Sequence, residues 1–298
     1  MWHNCDMKKI LAVSGGVDSM VMLDLMLSRF PADELVVATF DHGTRESSRA
    51  DADFVALKTE KFAQLGSALQ LKFYRGEAEL GAEISEEKAR EKRYEFLRKV
   101  AFKEKGEIYT AHHLDDLVES VAINALRGTG WRGLAVLNSA GVRRPFVDGI
   151  FGEVFDKRKI LEYAAKNDIV FRQDPTNTDE RYLRNRVRKG VSKMPFERKK
   201  EVYELWRRQL EVAREIEAIL EEILPEDLRF ERAWFYNMDE KVATEVLRAG
   251  LLRVGVTATR PQIRDFYRAI LTYASGKQFN LPNDKLVKIG RRDFQLKI

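Results

Sequence analysis

The sequence predicts an α/β fold, a doubly wound parallel sheet, followed by a helical linker and a small α+β C-terminal domain. Three observations support this. Short apolar runs alternate with amphipathic runs over residues 1–170, the alternation stops near Pro195, and a long charged run then leads into a more basic segment. Strands that alternate with helices in this way pair in parallel through right-handed crossovers, with helices on both faces.

Four short runs rich in β-branched or aromatic residues are the predicted strands, and three longer runs with apolar positions near the helical period separate them. The predicted strands are 9–14, 35–41, 69–76 and 107–113, and the predicted helices are 19–30, 48–66 and 85–106. Ligands bind at the carboxyl ends of the strands in such sheets. We therefore expect residues 14–19, 41–45 and 112–116 on one rim.

The second part of the chain follows a different pattern. Residues 196–224 form one long charged run closed by Pro225, which predicts a connecting helix. Two further helical runs and strand-like pieces fill the remainder. The predicted domains are thus 1–195, a linker at 196–224 and a small basic domain at 225–298.

The net charge of +5 is unevenly distributed along the 298 residues. Residues 180–200 carry nine Lys or Arg against two acids, and residues 225–298 carry fourteen against nine, so the remainder is net acidic. A concentrated basic stretch indicates a polyanionic partner such as nucleic acid, although a solvated charged face is the alternative.

Composition limits the cellular setting. No run reaches the roughly 18 apolar residues of a membrane span, and residues 1–6 lack an apolar signal core, so we expect a cytoplasmic protein without a membrane partner. Cys5 is the only cysteine, which excludes an internal disulfide and any Cys-x-x-Cys site within the chain. The four tryptophans are compatible either with a core or with a homodimer contact.

The turn after the first predicted strand, Ser14-Gly15-Gly16-Val17-Asp18-Ser19, is expected to bind phosphate. Its glycines permit positive φ and a close approach, and backbone N–H groups at the start of the following helix favour an anion. Asp18 would repel that anion unless a cation, most often Mg²⁺, lies between them. The Gly-Lys-Ser/Thr ending of a Walker loop is absent.

This turn resembles the loop of enzymes that cleave ATP between the α and β phosphates. Further motifs extend the likeness, and together they resemble tRNA(Ile)-lysidine synthetases over residues 9–190, with a looser likeness at the C-terminal end. The motifs, in chain order, are DHGTRESS (41–48), SEEKAREKRYEFL (85–97), TAHHLDDLVESVAINALRGTGWRGL (110–134), RRPF (143–146) and DPTNTDERYLRNRVR (174–188). The resemblance implies an adenine nucleotide alpha hydrolase-like fold.

The resemblance also implies an activity: ATP-dependent joining of free L-lysine to C2 of the wobble cytidine of a tRNA(Ile) with a CAU anticodon. The intermediate would be an adenylated tRNA, and the products would include pyrophosphate and AMP. ATP and Mg²⁺ are the expected substrate and metal, and residues 225–298 the expected tRNA-binding domain. The expected ATP-binding residues are Ser14, Gly15, Gly16, Val17, Asp18, Ser19, Asp41 and His42, with Asp18 reaching Mg²⁺ through the phosphates.

Acids and histidines on the third rim segment are the other candidates. Asp116 and Glu119 are three apart and share a helix face, where they could bind an ammonium group of lysine. The alternative is an ordinary acidic first turn. His112 is a candidate general base or a hydrogen-bonded core residue. We take Asp18, Asp116, His112 and Arg186 as catalytic candidates, and Asp116 and Glu119 as lysine ligands.

Five arginines are expected to bind tRNA phosphates: Arg90, Arg93, Arg127, Arg184 and Arg188. Ion pairing with the many acids is the alternative for each, and a helix C-cap is the alternative for the turn that starts at Arg127.

Three other functions are weighed against this one from the sequence. A tRNA thiolase could use the same ATP loop, but sulfur transfer normally needs paired cysteines, and a glutaminase-linked small-molecule ligase is disfavoured by the basic stretch 180–200. A nucleotide- or RNA-binding module without catalysis is the alternative from a different class, against which the acids at positions 18, 116 and 119 argue.

Overall fold

The computed structural model describes residues 7–43, 46–65, 71–78, 85–172 and 183–297. The chain divides into two compact units, Met1–Gln209 and Leu210–Ile298. Parts of two sequence motifs, at positions 44–45 and 173–182, lie outside the described residues, as does Cys5.

The first unit contains a five-stranded parallel sheet in the order β3-β2-β1-β4-β5. Its strands are β1 (Lys8–Ala12), β2 (Leu35–Asp41), β3 (Lys72–Glu77), β4 (Gly106–Thr110) and β5 (Val142–Arg143). Its helices are α1 (Val17–Arg29), α2 (Glu46–Leu65), α3 (Glu86–Glu104), α4 (Leu114–Leu126), α5 (Gly130–Leu134), α6 (Lys157–Lys166) and α7 (Leu183–Ser192), with a short 3₁₀ turn at Ala32–Glu34. The chain winds outward from β1 in both directions, which confirms the predicted doubly wound α/β fold.

The central strands are buried on both faces, as continuous apolar runs in parallel sheets require. Ile10 of β1 aligns with Val36 and Ile108 in the neighbouring strands, and these residues pack with Leu97 and other apolar residues of α3. Leu11 is also fully buried and points to the opposite face, because successive side chains alternate across a strand. Because β2, β1 and β4 are neighbouring parallel strands, their carboxyl ends lie together at one edge of the sheet.

The second unit has its own core and two antiparallel strand pairs, in agreement with the predicted small α+β domain. Its elements are β6 (Arg229–Glu231), α9 (Arg232–Tyr236), α10 (Glu240–Arg253), α11 (Arg260–Thr272), β7 (Gln278–Leu281), β8 (Lys285–Lys288) and β9 (Asp293–Gln295). Phe230, Phe235, Phe266 and Phe294 form an aromatic cluster at its centre, with ring centroids 5.4–6.0 Å apart. Large aromatic side chains bury enough area to stabilise such a small unit.

Helix α8 (Phe196–Ile223) is continuous over the range predicted for the linker, but the division between the units lies inside it. The N-terminal half of the helix packs in the first unit. There the indole N–H of Trp206 donates to Val136 O at 2.8 Å, and the ammonium of Lys199 donates to Asp115 Oδ1 at 2.6 Å. Leu220 belongs to the core of the second unit. Each half of the helix is thus part of one unit, while the functional roles of the three predicted domains stay predictions.

Within the described parts of the chain, no helix combines the length and the apolar character needed to cross a bilayer.

The buried guanidinium of Arg232 supports the second unit. It donates to Ile270 O at 2.8 Å, to Tyr273 O at 3.1 Å and to Gly290 O at 3.1 Å. Two of these carbonyls lie at the C-terminal end of α11, where the last carbonyls lack helical partners and attract a cation.

We expect Arg232→Met to lower the free energy of unfolding of the second unit by about 3 kcal/mol, because charge-assisted bonds are lost and buried carbonyls are left without donors. Denaturant unfolding followed by fluorescence, in a background where Trp234 is the one tryptophan kept, measures this change. Arg229→Met is the matched control. Its side chain is 60% exposed and pairs with Asp293 at the surface, so we expect a change below about 1 kcal/mol. Equal effects of the two substitutions would contradict the role of Arg232.

The ammonium of Lys199 is buried in the first unit. It lies 2.6 Å from Asp115 Oδ1 and 3.5 Å from Asp156 Oδ2, and all three side chains are at most 7% exposed. Breaking a buried ion pair on one side is strongly destabilising because the remaining charge is uncompensated.

We expect Lys199→Met to reduce the stability of the first unit by about 3–5 kcal/mol, as measured by denaturant unfolding. The neighbouring Lys200 is exposed, so Lys200→Met should change stability by less than about 0.5 kcal/mol. Adding Asp115→Asn to Lys199→Met should recover part of the loss, since it removes a buried charge that has lost its lysine partner. If the double variant loses as much stability as the sum of the losses in Lys199→Met and Asp115→Asn, then Lys199 and Asp115 are not coupled.

Candidate functional site

The loop between β1 and α1 is closed by its two serines. Ser19 Oγ accepts a hydrogen bond from Ser14 N at 3.1 Å and donates to Gly16 O at 2.9 Å. Gly16 is the N-cap of α1, so the first N–H groups of the helix have no helical partners. Such groups suit a phosphate.

Gly15 has a backbone conformation that favours glycine. Its φ is +86°, whereas an added Cβ would meet Phe54 and Val55 side chains only at ordinary contact distances of 3.5 Å. Backbone strain and not lack of space therefore explains glycine at this position. On the outer side, Arg172 N donates to Gly15 O at 2.9 Å and holds residues 171–172 beside the loop.

The N-terminal ends of three helices meet at this loop. Lys157, the first residue of α6, places its ammonium 2.6 Å from Asp18 Oδ1 in the first turn of α1. His113, the N-cap of α4, places Nε2 3.8 Å from Asp18 Oδ1 and 3.5 Å from Asp116 Oδ2. The structure therefore brings together Asp18 and Asp116, as expected from the two rim segments.

The carboxylate of Asp115 holds α4, α6 and α8 in place. It accepts a hydrogen bond from the backbone N–H of Lys157 at 2.8 Å and pairs with buried Lys199. Burial by itself would raise the pKa of Asp115, but the nearby ring of His113, the ammonium of Lys199 and the Lys157 N–H keep it well below its usual range.

His113 lies among three acids. Burial disfavours its charged form, but the carboxylates of Asp116, Asp115 and Asp18 outweigh burial and raise its pKa. Asp116 accepts a hydrogen bond from the His113 backbone N–H at 3.0 Å, and the two histidines hold its pKa below the ordinary value in spite of burial. Asp116 is therefore ionised at neutral pH.

His112 has the opposite character. Burial, with Arg144, Arg90 and Arg93 nearby, lowers its pKa to about 4, although Asp116 opposes the shift. Its Nδ1 lies 2.8 Å from Thr110 Oγ1. The imidazole is thus neutral at pH 7.

Glu119 is buried one turn further along α4. Its carboxylate is 3.1 Å from Arg188 Nε and 3.9 Å from Arg184 Nε, because α7 packs against α4. Burial raises the pKa of Glu119 even with these guanidinium groups beside it. Two of the arginines expected to bind tRNA therefore contact a residue expected to bind lysine.

The remaining predicted arginines lie in different surroundings. Arg90 and Arg93 on α3 flank the ring of buried Tyr94, at 5.2 and 5.6 Å from its centroid. Arg186 is exposed on α7. Arg127 is exposed just after α4, about 20 Å along the helix from His112 by helical rise, so it is separate from the cluster at the loop.

Asp41 and His42 follow β2 at the same edge of the sheet. Asp41 Oδ1 accepts a hydrogen bond from Gly43 N at 2.9 Å, and its other oxygen is 3.5 Å from Arg75. The His42 ring meets Phe40 edge-on, with centroids 4.9 Å apart. The roles of both residues in nucleotide binding stay predictions.

Three residues of the site were not predicted from the sequence: Lys157, Asp115 and Arg144. Lys157 and Asp18 are 139 positions apart, and a lysine at the start of an amphipathic run carries no local signal of such a contact. Arg144 is 3% exposed and donates to Val142 O at 3.1 Å, while burial lowers its pKa. The RRPF motif was the only signal for it.

The donors present fit a magnesium ion that arrives with a nucleotide. Among the described residues, no three His, Cys, Asp or Glu side chains form a metal-binding group. Mg²⁺ is usually bound by one or two carboxylates together with substrate phosphates. Asp18, with a side chain one-third exposed beside the loop, provides such a carboxylate.

The pKa of His112 predicts a pH-dependent stability. The unfolded chain binds a proton near pH 6.5, whereas the folded protein does so only near pH 4, so the free energy of unfolding falls as pH decreases between these values. We expect His112→Gln to remove about 2 kcal/mol of the decrease between pH 7 and pH 5. Denaturant unfolding of both proteins at the two pH values measures it, and parallel curves would contradict the shifted pKa.

Comparison with known proteins agrees with this geometry. Over 192 residues the chain is 35% identical to a tRNA(Ile)-lysidine synthase of Enterococcus faecalis, covering 61% of this chain and 39% of that protein. Enzymes of the same name from Thermotoga maritima (35% over 187 residues; 61% and 44%) and Bacillus cereus (31% over 223 residues; 72% and 46%) are also similar. The chain thus spans less than half the length of these relatives.

A solved structure shows the same fold. The U34-tRNA thiolase NcsA from Methanococcus maripaludis, solved with its [4Fe-4S] cluster, matches 69% of this chain and 73% of its own with a TM-score of 0.54 and 18% identity. The sequence model of the PP-loop domain matches residues 3–194, which include the loop and every acid and histidine of the site. The chain therefore belongs to the PP-loop family of ATP pyrophosphatases, and the resemblance to tRNA(Ile)-lysidine synthetases is confirmed.

Proposed function

We propose that this protein joins free L-lysine to C2 of the wobble cytidine of a tRNA(Ile) with a CAU anticodon, using ATP and releasing pyrophosphate and AMP. One observation carries the proposal. The phosphate-binding loop and the acids of α4 meet at His113, with Glu119 buried one turn beyond. An ATP site beside buried acids suits activation of one substrate and capture of an amine.

The first step forms the adenylate. The amides of residues 15–19 bind the phosphates, and Asp18 would hold Mg²⁺, which supplies compensation for the charge on the leaving group. O2 of the cytidine forms a bond to the α-phosphorus as the bond between that phosphorus and the α,β-bridging oxygen breaks, and pyrophosphate leaves. Adenylation makes C2 electrophilic.

The second step forms the lysine bond. The ε-amine attacks C2, and the C2–O2 bond breaks so that AMP leaves with O2. Ionised Asp116 and neutral His112 are both able to accept the proton that the amine loses. Buried Glu119 provides a carboxylate for an ammonium group of lysine.

Exposed basic side chains support a tRNA partner. Arg186 and Arg127 are exposed and could contact phosphates, while Arg90 and Arg93 lie close to His112. The basic segment 225–298 is proposed to bind the same RNA. A wobble base is unpaired in the free anticodon, so it can be turned into a pocket and recognised by its edges.

The decisive measurement is pyrophosphate release from ATP in the presence of tRNA(Ile) with a CAU anticodon, with and without lysine. We expect turnover that needs both tRNA and lysine, and a single round of release without lysine. Sulfur-dependent turnover would favour a thiolase. Binding of ATP and RNA without any pyrophosphate would favour a module without catalysis.

Two substitutions separate the steps. Asp18→Asn should slow adenylation by about 100-fold or more, the size of effect seen when charge stabilisation is removed. Glu119→Gln should retain adenylation but raise the lysine concentration needed for turnover. Glu162→Gln, an exposed acid on α6, is the control and should behave as the wild type. Glu119→Gln with normal lysine dependence would remove that residue from the lysine site.

A further inference from the structure

We propose that Lys157 is a phosphate-binding residue of the ATP site, and that its ammonium is held by Asp18 until a nucleotide binds. When ATP enters with Mg²⁺, Asp18 turns to the metal and the ammonium of Lys157 moves to a phosphate oxygen. This inference rests on the proposed use of ATP, but not on the identity of the RNA or the amine.

The loop supplies no cation of its own. Residues 14–19 contain two serines, two glycines, a valine and an aspartate, without the lysine that a Walker loop provides. Lys157 supplies the missing charge from α6, with its Nζ 2.6 Å from Asp18 Oδ1. Both side chains are more than 30% exposed, so a ligand in the loop can reach them.

The backbone of Lys157 is fixed while its side chain is accessible. Its N–H donates to Asp115, which buried Lys199 neutralises. Asp156 caps α6 by accepting from Lys159 N at 3.0 Å, and Leu114 N donates to Phe155 O at 2.9 Å. These contacts hold the start of α6 against the start of α4, which places the lysine stem beside the loop.

Among the described cations that lie beside the acids at positions 18, 115 and 116, Lys157 is the one exposed enough to move to a ligand. Asp115 pairs with Lys199, which is 4% exposed, and Asp116 pairs with His113, which is 7% exposed. The side chains of Lys199 and His113 are both confined by burial. Of these three pairs, Asp18 and Lys157 form the accessible one, and a metal ion that takes over Asp18 would release the ammonium of Lys157 for the anion.

Equilibrium binding of ATP and of adenosine tests this exchange, with calorimetry in Mg²⁺ and in EDTA. Lys157→Met should weaken ATP binding by about tenfold or more in both conditions and leave adenosine binding unchanged. Asp18→Asn should weaken binding in Mg²⁺ but strengthen it several-fold in EDTA, because it removes a repulsive charge and frees the ammonium.

Tighter ATP binding by Asp18→Asn in EDTA could come from the loss of a repulsive charge or from release of the Lys157 ammonium. The double variant Asp18→Asn/Lys157→Met distinguishes these two causes. We expect it to lose most of the improvement that Asp18→Asn shows in EDTA. Lys159→Met is the matched control on the same helix, since Lys159 pairs with Glu153 at 2.6 Å away from the loop, and it should bind ATP as the wild type does. Lys157→Arg should retain part of the affinity.

Three results would overturn the inference. In the first, the double variant binds metal-free ATP as tightly as Asp18→Asn does. In the second, Lys157→Met loses adenosine affinity in the same proportion as ATP affinity, and in the third, Lys159→Met weakens ATP binding as much as Lys157→Met does. If the variants bind ATP as expected but turnover does not depend on lysine and tRNA, the role of Lys157 holds and the proposed substrates are wrong. A wild-type protein that binds no ATP would contradict both the role of Lys157 and the proposed function.

Discussion

The site depends on one buried carboxylate, that of Asp115. It bonds to the ammonium of Lys199 and to the backbone N–H of Lys157, and it lies 3.6 Å from the ring of His113. These partners belong to α8, to α6 and to the residue that begins α4. An ionised carboxylate is strongly disfavoured in a protein interior unless its oxygens are bonded and its charge is compensated. Moving any of these helices would remove part of that compensation, and the carboxylate therefore fixes where the helices start relative to the sheet.

That arrangement has an electrostatic consequence for the loop. The starts of α1, α4 and α6 each carry partial positive charge from their free N–H groups, and acids in or next to the first turns offset it. Asp18 and Asp115 each pair with a lysine, and Asp116 lies 3.5 Å from the ring of His113, so part of the acidic charge is compensated before any ligand arrives. An anion that brings its own Mg²⁺ can enter such a site without leaving a carboxylate unpaired. Burial and the nearby arginines keep His112 neutral, whereas the histidines beside Asp116 outweigh burial and keep its pKa low.

Much of the fold was predictable because its signals are local. The predicted second strand, 35–41, has the observed bounds of β2, and the glycine turn lies between β1 and α1 as expected. The contacts that complete the site were not predictable, because they join residues that are far apart in the chain. Lys157 and Lys199 resemble ordinary surface lysines in the sequence, and only the crossing of α6 and α8 over the start of α4 buries one and directs the other to the loop. Helix α8 was predicted as a linker because its charge pattern is uniform, whereas packing assigns its two halves to different units.

The pairing of Glu119 with Arg188 connects substrate choice to burial. A carboxylate with a pKa raised by burial gains from any cation that reaches it, and the guanidinium of Arg188 supplies that charge in the free protein. Under the proposed function, an ammonium group of lysine replaces the guanidinium at Glu119 or adds to it. A neutral or acidic amino acid side chain would instead leave the buried carboxylate without new compensation. Under the same proposal, selection of a basic amino acid would follow from the desolvation of one carboxylate, and the arginine that leaves it would become available to an RNA phosphate. A single exchange of partners would then couple amine binding to RNA binding.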